Sequence, residues 1–485
     1  MSTKPHSATA SSTGEKPGLV YVSEQELRPR RNRGKSRPRA GARPSDPASR
    51  RGVALVMVIA AITVLAVFVA DLMESAVTEF HVAESERDRL KAEYLAKSGA
   101  NLTRLLIARE PDIRRLAAPI YQMLIGRPPP QLNVWDFAST LLAPFANLKD
   151  AKTMTQQSGV DFSLMKGVKD TGGTFEVLTV PENGKINLNA PLFFTGDEAR
   201  RSIAMQLFAL LGGYQSPESP YDPMFSARDP DGHYTTRLDI VSDMIDWWDP
   251  DDQRTVFDPG SASITVGGSE DNIYAQYPEP YLVKNAPFDS LEELRLIRGV
   301  SDDFWATFVE PKADDPRARK VTIYGSGAVN VNMAPPEVLL ARLCSFVTNQ
   351  PLCRDPGQAA SFIMLFNTAR MIIPIALFSG PEDFVNFVTA SPSRGMDMYA
   401  ILQSFLKDSP LMAWTPMVIP PELKPQIMNM FLTEASIFTI QSTGRVGRAQ
   451  AKLTMIVNFD KAWVPPPGVA GVLPPLGVTH YYRIE

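Results

Sequence analysis

Cysteine and histidine are scarce in this chain, and the residue patterns of common enzyme active sites are missing. The 485 residues include two cysteines and four histidines, and the histidines lie far apart in the sequence. No G-x-S-x-G, H-E-x-x-H or phosphate-loop motif is present. We therefore expect a protein that is not an enzyme.

Charge is absent between Val53 and Ala70, a run of eighteen residues that ends at Asp71. As a helix this run would be about 27 Å long, close to the thickness of the hydrocarbon core of a bilayer. Proline is absent from Leu72 to Arg109, so the helix is expected to continue beyond the membrane. The sequence thus predicts a transmembrane and rod helix over residues 53–110.

The two sides of this apolar run differ in charge. Residues 1–52 hold twelve Lys/Arg against four Asp/Glu, whereas residues 53–485 hold 37 basic and 49 acidic residues. By the positive-inside rule the basic side stays cytoplasmic and the acidic body lies across the membrane. Residues 1–52 are poor in apolar side chains and are predicted to be a disordered leader. Beside a membrane span, a topological role for this basic leader is favoured over nucleic-acid binding.

The two cysteines, Cys344 and Cys353, are close in sequence. Disulfides persist in oxidising compartments, such as the one predicted for the body. A disulfide between them is therefore favoured over two free thiols.

The distribution of strand and helix patterns predicts an α+β fold. Residues 174–181, 436–443 and 446–459 alternate apolar and polar side chains as half-buried strands do, with a turn expected at Gly444-Arg445. Residues 195–430 are mostly helical and would form a domain inserted into an α/β domain of residues 111–194 and 431–485. A repeat, Ile-Asn-Leu-Asn at 186–189 and Val-Asn-Val-Asn at 329–332, precedes a predicted helix each time. Capping or backbone hydrogen bonding is the favoured role of its asparagines.

Acidic residues are concentrated between Asp246 and Asp271, where only Arg254 opposes seven carboxylates. Flexible, carboxylate-rich loops of this kind bind hard divalent cations such as calcium. The spacing is not that of an EF-hand, because Arg254 occupies the position that requires glycine. From composition alone, a cation site and a solvated acidic loop are equally compatible with this segment.

The turn Arg298-Gly299-Val300-Ser301 is similar to the turn of a helix-hairpin-helix, which often contacts DNA phosphates. Its flanks are acidic, with Asp302 and Asp303 directly after it, and acidic flanks would repel phosphate. A packing role is therefore favoured, and no nucleic acid is expected as a partner.

Several motifs together resemble the minor pseudopilin K family of type II secretion systems, over about residues 51–460. A basic leader that ends at Gly52, an apolar helix and the rod segment Tyr94–Gly99 are similar to prepilin-like proteins. The more specific matches are Met244–Asp252, Lys284–Leu294, the two asparagine repeats and Ser442–Gly447.

This resemblance implies a pilin-like fold, in which a long N-terminal helix packs on a small antiparallel sheet. It implies cleavage between Gly52 and Val53 by prepilin peptidase, methylation of Val53, and a single-pass inner-membrane protein whose body is periplasmic. The implied partners are the minor pseudopilins I and J and the major pseudopilin. It also implies calcium in the acidic loop, and our candidate ligands are Asp249, Asp251, Asp252, Glu270 and Asp271.

The fifth residue after the implied cleavage site is Met57, where most pilin-like proteins have glutamate. A carboxylate in lipid is tolerated only with a partner, and a subunit with nothing above it has none. This supports a position at the pseudopilus tip, where the protein would initiate or cap assembly and support export of folded periplasmic proteins. The alternative is a type IV pilus minor pilin that acts in adhesion or DNA uptake.

Overall fold

A computed structural model describes residues 47–485 except for residues 147–171, 190–195, 227, 229–231, 233, 314, 374–375, 394–396, 408 and 461–475. The described residues divide into two compact units, a first unit that ends at Val77 and a second unit of residues 78–485. The predicted disorder of the leader, up to residue 46, lies outside the described residues, as do residues 147–171 and 190–194 of the predicted α/β domain.

One very long helix opens the described part of the chain, and shorter helices and strands follow it. The helices are α1 (Pro47–Ile125), α2 (Ala138–Ala146), α3 (Gly196–Leu210), α4 (Asp222–Ser226), α5 (Arg237–Trp248), α6 (Asp302–Phe304), α7 (Pro336–Cys344), α8 (Pro351–Arg354), α9 (Pro356–Ile372), α10 (Pro381–Val388), α11 (Met398–Leu406) and α12 (Lys424–Asn429). The strands are β1 (Gly173–Pro181), β2 (Ile186–Asn187), β3 (Gln253–Asp258), β4 (Ser263–Ser269), β5 (Val321–Thr322), β6 (Val329–Asn330), β7 (Phe431–Leu432), β8 (Ile437–Val446), β9 (Ala449–Asn458) and β10 (Val478–Ile484).

The N-terminal part of α1 is strongly apolar and has no protein around it. Its most apolar window has a mean hydropathy of 3.0, and none of that window is buried. Among the described residues, α1 is the one helix that is long and apolar enough to cross a membrane. Within the first unit it is therefore a candidate membrane anchor, as predicted.

Helix α1 extends beyond the predicted bounds of 53–110 at both ends. It begins at Pro47, so residues 47–52 of the predicted leader are helical, and proline is well tolerated in the first turn of a helix. It continues through Pro111 and Pro119 to Ile125. An internal proline removes one backbone hydrogen bond without always ending a helix. Arg114 braces this segment, since it pairs with Glu110 at 3.4 Å and with Glu434.

The C-terminal half of α1 packs on a four-stranded antiparallel sheet with strand order β1-β8-β9-β10. Small residues on the helix, including Ala92, Ala96 and Ala100, are fully buried against this sheet. Their partners include Phe438 and Leu453. The predicted pilin-like arrangement, a long helix on a small antiparallel sheet, is confirmed.

The turn predicted at Gly444-Arg445 is wrong, because β8 continues to Val446 and the turn lies at Gly447-Arg448. Gly444 instead lies where α1 crosses the sheet. A Cβ atom at Gly444 would lie 2.0 Å from the backbone oxygen of Ala92. The glycine is thus required for close helix–sheet packing, which sequence alone does not distinguish from a turn.

The chain between β1 and β8 forms a large and mostly helical domain with its own core. Two short parallel strand pairs, β2–β5 and β6–β7, divide this domain into similar halves. Each half begins with one of the asparagine repeats and continues through helices to the strand that pairs with its first strand. The predicted α+β fold with an inserted helical domain is confirmed.

The asparagines of both repeats make the same hydrogen bonds. The side-chain oxygen of Asn187 accepts from the backbone N–H of Asn189, and Asn330 does the same with Asn332, each at 2.9 Å. Asn189 then binds the backbone N–H and carbonyl of Phe288 through its amide, at 3.0 and 2.9 Å. Asn332 makes the same pair of bonds with Phe378, at 3.0 and 2.9 Å. Asn187 and Asn330 thus bond neighbouring backbone, as predicted, whereas Asn189 and Asn332 hold distant backbone, which was not predicted.

Cys344 at the end of α7 and Cys353 in α8 form the predicted disulfide, with a Cα–Cα distance of 5.6 Å. Both residues are buried in the core of the inserted domain. The bond ties α7 and α8 together and closes a short loop.

The Gly444→Ala substitution is expected to destabilise the body, residues 78–485, by about 1–3 kcal/mol, since the added methyl group overpacks the helix–sheet contact. Gly267→Ala is the matched control, because it lies in a strand and its added methyl group would have no heavy atom within 4 Å. Urea unfolding of both variants measures the difference. Equal stability of the two would show that α1 does not pack on the sheet at Gly444.

Candidate metal centre

Three buried carboxylates, those of Asp246, Asp249 and Glu270, meet in the inserted domain and form what we call the acidic cluster. One oxygen from each lies within 4.8 Å of an oxygen from each of the others. The residues are between 0% and 2% exposed. Since burial of carboxylates without a cation is costly, their meeting point is the candidate site.

Helix α5 positions two of the three carboxylates. Thr236 caps its first turn in a capping box with Asp239, and Ile240 and Ile245 anchor the helix in the core. Asp246 lies in the last turn, and Asp249 follows the helix with its N–H bonded to the oxygen of Ile245 at 3.0 Å. Residues three apart share one face of a helix, so the two carboxylates point the same way.

The hairpin of β3 and β4 supplies the third carboxylate. Gln253 at the start of β3 pairs with Ser269 at the end of β4, which places Glu270 beside α5. The hairpin is attached to the helix because the N–H of Thr255 donates to Oδ1 of Asp246 at 2.8 Å. The acidic cluster is therefore built by secondary structure, and is not a solvated loop.

Burial raises the pKa of every carboxyl group in the acidic cluster. The pKa of Asp246 rises to about 6 and that of Asp249 to about 7. The pKa of Glu270 rises to about 8, through burial and then through repulsion from Asp246 and Asp249. In the described part of the chain, neither oxygen of Glu270 has a hydrogen-bond partner, nor has Oδ1 of Asp249.

Within the described residues, Arg200 on α3 is the cation whose side chain contacts the acidic cluster. Its Nε donates to Oδ2 of Asp249 at 2.9 Å, and its Nη2 pairs with Asp251. Arg254, which the sequence placed opposite the acidic loop, lies 3.4 Å from Asp239 and 3.5 Å from Asp243. One guanidinium therefore contacts one of three clustered carboxylates.

The five predicted ligands divide into two groups. Asp249 and Glu270 belong to the acidic cluster. Asp251 pairs with Arg200, Asp252 accepts from the amide of Asn285 at 3.1 Å, and Asp271 accepts from the N–H of Val283 at 3.1 Å. The structure adds Asp246 to the predicted ligands. Its spacing of three residues from Asp249 is the feature of the sequence that could have identified it.

Asn285 is a further residue that the sequence did not identify. It adopts a left-handed backbone conformation with φ of 49°, which asparagine tolerates better than most residues. Its amide nitrogen binds the backbone oxygen of Asp251 and the carboxylate of Asp252, and its Oδ1 is buried without a hydrogen-bond partner among the described residues. Asn285 therefore lies beside the acidic loop with a side-chain oxygen that could accept a further contact.

The donor set of this site suits calcium. Calcium takes six to eight oxygen ligands from carboxylates, amides and water. The residues that would hold it are Asp246, Asp249 and Glu270, whose three mutually repelling carboxylates are contacted by one guanidinium, that of Arg200, in the described part of the chain. A bound calcium ion would neutralise them.

The other predicted sites lie elsewhere. Gly52 and Val53 are exposed residues of α1, and a Cβ atom at Gly52 would have no neighbouring atom within 4 Å. Gly299 in the hairpin-like turn has φ of 81°, and a Cβ there would lie 2.3 Å from the side chain of Thr235. That contact supports the packing role of the turn. In the second half of the inserted domain, Ala390 follows α10 and also has a positive φ, of 50°.

Comparison with known proteins identifies the segment that contains the acidic cluster. Residues 184–309, about a quarter of the chain, match the family described as type II secretion system (T2SS), protein K. Over these residues the chain is similar to that family. The resemblance inferred from the sequence is thereby confirmed over residues 184–309.

Among solved structures, the chain is similar to the crystal structure of the GspK-GspI-GspJ complex from the enterotoxigenic Escherichia coli type 2 secretion system. The identity is 14% and the TM-score is 0.35, over 65% of this chain and 80% of that chain. No curated protein matches the chain.

The acidic cluster is expected to make the stability of the metal-free body depend on pH. The raised pKa values of Asp246, Asp249 and Glu270 mean that the folded state binds more protons than the unfolded state between about pH 4 and pH 8. In chelator, the free energy of unfolding contributed by the acidic cluster should therefore fall as pH rises from 5 to 8.

Glu270→Gln should reduce this fall and raise the melting temperature of the metal-free body at pH 8. Glu292→Gln is the control, because Glu292 is exposed and lies outside the acidic cluster. Thermal melts in chelator at several pH values measure the effect. A wild-type melting temperature that rises steadily from pH 5 to pH 8, with no gain for Glu270→Gln, would contradict the prediction.

Proposed function

We propose that the protein is a minor pseudopilin at the tip of a type II secretion pseudopilus. There it would initiate or cap assembly and support the export of folded periplasmic proteins across the outer membrane. The match of residues 184–309 to the protein K family carries this proposal. The membrane-type helix and the pilin-like packing of α1 on its sheet support it.

The first unit supports insertion in the inner membrane. Side chains from Val53 to Val77 are exposed, and most of them are apolar. Lipid is the environment that suits such a surface. We propose cleavage between Gly52 and Val53 by prepilin peptidase, methylation of Val53, and a body that lies in the periplasm.

Two features support the tip position. Met57, 63% exposed on α1, leaves the anchor without a carboxylate that would need a partner subunit in lipid. The domain inserted between β1 and β8 adds bulk to the pilin-like unit, and such bulk would obstruct stacking within a shaft. A terminal position avoids both difficulties.

We propose that the acidic cluster binds calcium and that calcium stabilises the folded body. A ligand that binds only the folded state adds about 2.7 kcal/mol at a concentration of one hundred times Kd. The cluster suits this role because Glu270 has two buried and unpartnered oxygens.

Calcium should raise the melting temperature of the body, and chelator should reverse the rise. Glu270→Gln should remove most of this shift, because it takes a charge from the centre of the acidic cluster. Glu292→Gln, an exposed carboxylate changed in the same way, should keep it. A melting temperature of the wild type that is the same in calcium and in chelator would rule out the metal role.

One exposed apolar face of α1 supports partner binding in the second unit. Tyr94, Leu105 and Leu116 are eleven residues apart, or about three turns, and therefore lie on one side of the helix. They are 66%, 44% and 81% exposed. We propose that this face packs on helices of partner pseudopilins, with the minor pseudopilins I and J as the direct partners and the major pseudopilin below them.

Leu105→Arg combined with Leu116→Arg should abolish co-purification of the body with minor pseudopilins I and J in calcium. The charges would have to be buried without partners in a helix–helix contact. Val418→Arg is the control, since Val418 is 74% exposed on the inserted domain. A wild-type body that binds neither pseudopilin would favour the alternative, a type IV pilus minor pilin in adhesion or DNA uptake.

A further inference from the structure

Arg200 joins two elements that are distant in sequence at the edge of the acidic cluster. It lies in the first half of α3, and its side chain is only 12% exposed. Its Nε binds Oδ2 of Asp249 at 2.9 Å, its Nη2 pairs with Asp251, and its Nη1 lies 3.7 Å from the exposed Asp197. The guanidinium is therefore held mainly by the two aspartates that follow α5.

The single positive charge of Arg200 does not neutralise the three carboxylates of the acidic cluster. The guanidinium contacts Asp249, whereas both oxygens of Glu270 and the second oxygen of Asp249 are buried and have no partner in the described part of the chain. A divalent cation placed among these oxygens would therefore lie close to the guanidinium. Two cations that share one carboxylate repel each other, and the repulsion is strong where water is excluded.

We propose that Arg200 is a built-in counter-ion that competes with calcium for the carboxylate of Asp249 and so sets the calcium affinity of the site. This inference rests on the proposed calcium role of the acidic cluster. Without metal, the Arg200 side chain ties the segment after α5 to α3 and keeps the metal-free body folded. With metal, the guanidinium gives up part of this contact and releases Asp251, a ligand candidate from the sequence that the structure shows paired with Arg200.

If Arg200 competes with calcium, its removal should affect calcium affinity and metal-free stability in opposite directions. Arg200→Gln removes the positive charge, so calcium should bind about tenfold more tightly, which corresponds to about 1.4 kcal/mol. The same substitution should lower the melting temperature in chelator, because the carboxylates lose their one cation. The rise in melting temperature produced by calcium should therefore be larger in this variant than in the wild type.

The test is calorimetric titration of the full chain in detergent with calcium chloride, together with melts in chelator. Arg200→Lys keeps the charge and should bind calcium within about threefold of the wild type. Arg201→Gln removes an exposed charge from the next position of α3 and should change neither quantity.

The outcomes separate this inference from the calcium role itself. Tighter binding by Arg200→Gln, with Arg200→Lys and Arg201→Gln unchanged, supports the competition. Equal or weaker binding by Arg200→Gln overturns it and leaves the calcium role intact, since Arg200 would then only position Asp249. A wild type that binds no calcium overturns both.

Discussion

The buried ion pair of Glu182 and Lys185 holds the two parts of the body together. The Lys185 ammonium lies 2.8 and 2.9 Å from the Glu182 oxygens. Thr322 of β5 and Thr439 of β8 each donate to the same carboxylate at 2.6 Å. Burial by itself would raise the pKa of Glu182, but Lys185 and the two hydroxyl groups lower it overall. One carboxylate thus joins the pilin-like sheet to the inserted domain, and loss of one partner of such a pair costs about 3–5 kcal/mol.

This attachment allows the inserted domain to carry a site that the pilin-like unit does not have. Both halves of the domain share the asparagine bonds and a parallel strand pair, and in the described residues the β3–β4 hairpin belongs to the first half. The hairpin docks on α5 through Thr255 and brings Glu270 to Asp246 and Asp249. The acidic cluster is therefore an addition to a scaffold whose second half is stabilised by a disulfide and an aromatic core.

The sequence predicted those features that depend on local patterns. Alternation identified β1 and β9, and the predicted helical block of residues 195–430 contains α5. Sequence patterns failed to predict features that depend on contacts between residues distant in the chain. The Gly-Arg dipeptide occurs at 444 and again at 447. The close packing of α1 on Gly444 shows that the second dipeptide, not the first, forms the hairpin turn. Membership of the acidic cluster likewise depends on the docking of a hairpin, so Asp246 was passed over and Asp251 was included.

The proposed tip position would place the inserted domain at the end of a pseudopilus. Isolated pseudopili labelled with gold-conjugated antibody against the inserted domain, and viewed by electron microscopy, test it most directly. A single label is expected at one end of each filament, since the bulky domain would obstruct the addition of further subunits. Labels spaced along the shaft, or filaments without any label, would contradict it.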